Sequence, residues 1–187
     1  MSWRKITKPS SQYSVLLLLV VGIIVGVVGY FTVQQTLHIT SSDAFCMTCH
    51  SNHSLKEEVL ASSHGGSKSG VVVECQQCHL PQEPLNYLIK KIIVSKDVIG
   101  FLTIENFNTQ AWLEENRKAQ ADIARDYLRS IDSSTCQNCH KRIYEDQPEA
   151  MNNMAVRMHH KNSKKVPPER QTCIDCHKGI VHPYPET

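Results

Sequence analysis

Residues 46–50 read CMTCH, and the same pattern returns as CQQCH at 75–79, CQNCH at 136–140 and CIDCH at 173–177. Each copy is C-x-x-C-H. Two thiols three positions apart reach the two vinyl groups of one haem, and the next residue presents an imidazole to the iron. The pattern assigns Cys46, Cys49, Cys75, Cys78, Cys136, Cys139, Cys173 and Cys176 to thioether bonds with four covalently bound haem c groups, and His50, His79, His140 and His177 to the iron. Structural disulfides and zinc held by paired C-x-x-C units are the competing readings. Zinc is the better of the two, because its sites do use paired cysteines. Neither predicts a His after every second Cys, and none of the eight cysteines is left over as a redox thiol.

Composition points the same way. Twenty basic residues nearly cancel 18 acidic ones, for a formal net charge of +2, and no basic run is interleaved with aromatics. Nucleic acid is therefore excluded as a partner. Hydrophobic residues make up 41% of the chain, but many of them lie before Val33, and the remainder is poor in large core residues. Haem macrocycles, as large apolar discs, would supply the missing interior. Four of them in so short a chain lie close enough to pass electrons between neighbours. Their propionates also make the assembled protein more acidic than its composition suggests.

The apolar residues are concentrated in VLLLLVVGIIVGVVGYFTV at 15–33, about nineteen residues without a charge. As a helix this run is long enough to cross roughly 30 Å of hydrocarbon. Arg4, Lys5 and Lys8 precede it. The positive-inside bias then predicts a cytoplasmic tail at 1–14, a transmembrane anchor at 15–33 and a periplasmic tetrahaem domain at 34–187, on a bacterial inner membrane. A cleaved secretory signal is the alternative, but the run is too long and no small-x-small site follows it closely. A buried core helix fails because no other segment could surround so apolar a rod. Gly22 and Gly26, with Gly29 nearby, give a G-x-x-x-G spacing that permits a homodimer. The expected fold is mainly α: one transmembrane helix and a small multihaem domain with little regular sheet.

Six histidines lie outside the motifs: His38, His53, His64, His159, His160 and His182. Low-spin electron-transfer haems need a sixth ligand. His64 follows a helical stretch at 55–62 and precedes Gly65 and Gly66, which let backbone approach a flat cofactor. His159 and His160 end a helical stretch running from about Pro148; of the two, His159 is expected to face a haem and His160 solvent. His182 follows His177 closely, with Pro183 and Pro185 fixing the tail, so it points away from its own motif's haem and serves a neighbour. His53 and His38 are expected at the surface.

Two further helices are expected between the second and third motifs. The later, at 110–130, mixes Glu, Arg, Lys and Ala like a solvated scaffold. The earlier, at 84–101, has Pro84 near its start and an apolar stripe of Leu85, Leu88, Ile89, Ile92 and Ile93 at helical spacing. Lys90 and Asp97 are seven residues apart, about 20° around an ideal helix, so a cation and a carboxylate share one face beside a membrane-compatible surface. Lys91 is adjacent and can take the place of Lys90. An ordinary charged helical face is the plainer reading of the same pattern.

Several blocks together carry a family resemblance: FCMTCHSNHS around Cys46, ASSHGG at His64, YLIKKIIVSKD before Gly100, MAVRMH ending at His159, and TCIDCHKGIVHPYP near the end. With the anchor and four motifs, the chain resembles the NapC/NirT family of membrane tetrahaem quinol dehydrogenases, its CymA-type branch above all. The resemblance implies that His64 is the distal ligand of the third haem, His182 of the second and His159 of the fourth. The first haem would then be high-spin and beside the quinol. It also implies that Lys90 or Lys91, and Asp97, adjoin a menaquinol site. In some relatives a Met two residues after the first motif's His ligates that haem; here Asn52 stands there, leaving His50 or Met47 as the first axial ligand.

The expected activity is oxidation of menaquinol, with Asp97 accepting a proton, a Lys stabilising quinolate charge, and electrons passing singly to periplasmic redox proteins and reductases of anaerobic respiration. A tethered relay without quinol chemistry, a reductase of a small oxyanion and a structural anchor subunit are the alternatives.

Overall fold

The computed structural model describes residues 15–50, 52–66, 70–141 and 152–185. The tail at 1–14, with Arg4, Lys5 and Lys8, lies outside them. Two compact units divide the chain, Met1–Ser42 and Asp43–Thr187.

The first unit is α1 (Val15–Ile39), a single helix that continues beyond the apolar run at 15–33. It is long and apolar enough to cross a membrane, and none of its apolar window is buried by protein. No side chain lies where a Cβ at Gly22, Gly26 or Gly29 would project.

The second unit contains α2 (Asp43–His50), α3 (Leu55–Ala61), α4 (Cys75–His79), α5 (Pro84–Thr103), α6 (Gln110–Ser130), α7 (Ser134–Gln137), α8 (Asn153–Ser163) and α9 (Cys173–Cys176). Among the described residues there is no strand, only an isolated bridge between Asn52 and Thr109. The two long helices run as the periodicity predicts, α5 opening on Pro84 and α6 capped by Thr109, whose hydroxyl accepts from the Trp112 amide at 3.3 Å. One expectation needs correcting. Helix α8 does not end at His159 and His160 but continues to Ser163, capped at its start by Asn152, which accepts from the Ala155 amide at 2.8 Å. Pro148 lies outside the described residues.

The C-x-x-C-H motifs sit on short helical turns, because residues three apart share a helix face. Turns of four or five residues have little stability of their own, and side chains close two of them. The Glu74 amide donates to Gln77 at 2.8 Å ahead of α4, and the Thr172 amide donates to Asp175 at 2.8 Å ahead of α9. Both are reciprocal capping boxes.

The second unit has little apolar interior. Among the described residues only Val59 and Leu113 are buried hydrophobic side chains.

Candidate haem and quinol sites

Three pairs of imidazoles face one another across chain segments far apart in sequence. His79 meets His182 with ring centroids 6.4 Å apart, His140 meets His64 at 6.3 Å, and His177 meets His159 at 6.0 Å. Metal–imidazole bonds are about 2 Å long. Each ring nitrogen lies about 1 Å from its centroid, so two imidazoles on opposite sides of one iron have centroids about 6 Å apart. The three separations match that span, and each pair joins one motif His to one His outside the motifs.

Each pair has its own supports. Helix α8 is held to the segment before α9 by Asn162, whose side chain donates to the Gln171 carbonyl at 2.7 Å and accepts from its amide at 3.0 Å. That tie aligns His159 with His177, while His160 is exposed. His64 leaves α3 through a tight turn in which a Cβ on Gly65 would lie 2.0 Å from the Val59 carbonyl oxygen. The close approach expected of Gly65 is thus made to the helix that precedes it. The His182 tail is fastened by Tyr184, whose hydroxyl donates to Asp122 at 2.6 Å while the Arg125 guanidinium lies 4.7 Å from its ring centre.

His50 differs. The ring against it is that of His53, with the two Nδ1 atoms 3.2 Å apart. That is a hydrogen bond, too short to hold an iron, which needs about 4 Å between its two nitrogens. His53 was expected at the surface; it is 4% exposed, stacked on Trp112 and bonded through Nε2 to the Phe107 carbonyl at 3.2 Å. The reason is a local hydrophobic lid, Phe107 and Trp112 packing at 4.5 Å, which lies more than fifty residues on. Because a carbonyl only accepts, Nε2 of His53 carries the proton and its Nδ1 accepts from His50. Nε2 of His50 is then the unprotonated nitrogen. Burial and the neighbouring His53 hold His50 below the ordinary histidine range, against an opposing pull from Asp97. His38 is exposed, as expected.

Helix α5 carries the candidate quinol residues past this first motif. Asp97 acts electrostatically on His50 and Cys49, and Lys91 acts on Cys46. Lys90 lies 3.4 Å from the centre of the Tyr127 ring on α6. Burial depresses both lysines, and Asp97 partly offsets this at Lys90. The apolar stripe is open: Leu85 is 69% exposed and Ile92 65%, and further along the helix Ile99 is 63% and Leu102 74%. Met47 is half-buried.

The motifs follow one another in space. The Cys46 and Cys75 thiols hydrogen-bond, α4 packs on α7, and the Cys136 and Cys173 thiols hydrogen-bond. All eight cysteines are free of disulfides. Among the described residues, no three His, Cys, Asp or Glu side chains converge on one point. Buried donors without partners include Asn138 Nδ2 in the third motif and, on α6, Arg125 Nε. Donors of this kind suit a carboxylate-bearing group such as a haem propionate.

A chain with four C-x-x-C-H turns, paired imidazoles between them and one long apolar helix has the build of a membrane-anchored multihaem cytochrome c. It belongs to the NapC/NirT cytochrome c family, whose N-terminal-region model matches residues 8–187. It is 69% identical over 186 residues to the tetraheme c-type cytochrome CymA of Shewanella oneidensis, covering all of both chains. It is 32% identical to the cytochrome c-type protein NapC of Paracoccus pantotrophus, covering 98% of this chain and 76% of that one. With TorC of Escherichia coli it shares 31% identity over 98% of this chain, which spans 46% of that protein. No solved structure matches the chain.

Proposed function

We propose that this protein is a membrane-anchored tetrahaem quinol dehydrogenase, which oxidises menaquinol and delivers electrons one at a time to periplasmic reductases. The observation that carries this is the asymmetry among the motif histidines. His79, His140 and His177 each face a partner imidazole at the span of one iron, whereas His50 meets His53 only through Nδ1, with Asp97 acting on it from α5. Haems held between two imidazoles would suit outer-sphere transfer, and a haem held at His50 without a facing imidazole would suit a neighbouring substrate.

The eight motif cysteines would hold haem c through thioether bonds; His50, His79, His140 and His177 would ligate from one side, and His182, His64 and His159 from the other at the last three. Haem, once bound, supplies one-electron acceptance at closely spaced centres. The chain's own residues do the rest. Asp97 accepts a proton from the quinol hydroxyl, and Lys91 or Lys90 stabilises the negative charge left on that oxygen. The exposed apolar side of α5 lies on lipid, from which the quinol enters. Helix α1 anchors the molecule with its N-terminus in the cytoplasm and the haem domain in the periplasm.

Asp97→Asn tests this reading. Menaquinol oxidation in liposomes should fall by about 10²-fold, with four haems per chain and an unchanged absorption spectrum. Unchanged turnover would remove Asp97 from the chemistry, and failure of the unmodified protein to accept electrons from a menaquinol analogue would favour a relay.

A further inference from the structure

We propose that Glu58 is a positioning residue that lowers the reduction potential of the second haem through His182. The inference rests on the reading of His79 and His182 as two ligands of one iron. Nδ1 of His182 lies 2.9 Å from Glu58 Oε2. A carboxylate accepts, so this nitrogen carries the proton and the lone pair of Nε2 is left for a metal.

Glu58 is firmly held. Its side chain is 13% exposed. Arg117 donates to both of its oxygens, at 2.8 Å and 3.2 Å, and the Ser54 hydroxyl donates to Oε1 at 2.6 Å. Nothing in the motif histidines themselves requires this; the network reaches from α3 across to α6 and the C-terminal tail.

The three outer imidazoles differ in what their Nδ1 atoms meet. His159 donates to the neutral Ala155 carbonyl at 2.8 Å, and His64 has the Ser63 hydroxyl at 3.4 Å. At His182 the acceptor is a carboxylate. A negatively charged acceptor draws the Nδ1 proton, strengthens donation from Nε2 and stabilises the ferric state, which lowers the potential. Arg117 moderates the effect by sharing the carboxylate.

The test is a potentiometric titration of the full-length, haem-loaded protein, followed by magnetic resonance of the low-spin signals, with haem count by mass. His182→Ala should abolish one low-spin signal; retention of every signal would overturn the ligand reading itself. Glu58→Gln keeps a hydrogen-bond acceptor without the charge, and should raise one midpoint while every low-spin signal persists. Arg117→Gln should move the same midpoint the other way, so the sign remains testable even where Glu58→Gln loads haem poorly. Glu114 pairs with Arg117 at 3.2 Å and does not bond His182, so Glu114→Gln should leave that midpoint close to the parent value. If His182→Ala behaves as expected but Glu58→Gln or Arg117→Gln leaves all midpoints in place, or Glu114→Gln shifts one as far as Glu58→Gln, the role of Glu58 is disproved.

Discussion

Helices α5 and α6 are almost the same length, twenty and twenty-one residues, yet they do opposite work. Along α6, long cations reach out and fasten other segments. Arg117 holds Glu58 on α3, Arg125 covers the Tyr184 ring of the tail, and Arg129 donates to Asp175 in the fourth motif at 2.6 Å. Along α5, large apolar side chains point away from the protein, with Leu85 and Leu102 among the most exposed. One helix stands in for a hydrophobic core by tying segments together with charge; the other keeps an apolar face that the fold does not use. Polypeptide that leaves space for cofactors has few apolar contacts to spend, so directional ties at its margins carry the alignment of the histidines.

The sharpest way to break this contrast is to cut a tie on α6. Arg117→Ala strands the largely buried Glu58 carboxylate and should cost about 3 kcal/mol of stability, read as a lower melting temperature of the haem-loaded protein. A substitution as drastic on the open side of α5, Leu102→Ser, should change stability by no more than about 0.5 kcal/mol. Equal losses at the two positions would mean that α5 is packed as tightly as α6.

A smaller effect comes from Asp43, which opens α2 and binds the next motif, accepting from the Cys75 amide at 2.9 Å and from Lys56. Burial works to raise its carboxyl, but the hydrogen bonds from Lys56 and Cys75 outweigh it and hold the group below its ordinary value of 3.8. A carboxyl lowered on folding contributes stability above its unfolded value and loses it as pH falls through the folded one. Asp43→Asn should therefore cost about 1.5 kcal/mol near neutrality. The gap between variant and parent should be full above pH 3.8 and close at more acid pH. A gap that persists unchanged at pH 2 would show that the ionised carboxylate is not what joins α2 to α4.

Much of this architecture can be read from residues with local signatures. The motifs, the apolar run of α1, the Pro84 start of α5 and the charged pattern of α6 each declare themselves within a few turns. That only one of His159 and His160 can face a given partner also follows locally, since neighbours on a helix point about 100° apart. What could not be read were ties between distant residues. Arg117 and Glu58 lie 59 positions apart, and His182 and Glu58 lie 124 apart. Neither residue type at either position advertises its partner. His53 is the instructive failure: it lies three residues from His50, but its burial depends on Phe107 and Trp112. A hint was present in its position one turn after a motif His, where a second imidazole can orient the first.

The smallest expected effect separates two adjacent lysines that spacing alone leaves equivalent. Lys90 Nζ lies over the Tyr127 ring, which spends its charge on joining α5 to α6, whereas Lys91 lies 5.7 Å from Tyr87 on its own helix and acts on Cys46 of the first motif. Lys90→Gln should accordingly lower stability by about 1 kcal/mol, the loss of a partly desolvated cation–aromatic contact. Lys91→Gln should leave stability within about 0.5 kcal/mol and instead slow menaquinol oxidation. Melting curves and liposome turnover, measured on both variants, distinguish the roles. The reverse pattern would move the quinol to the Lys90 side of α5, and make that residue a contact on the substrate as well as on α6.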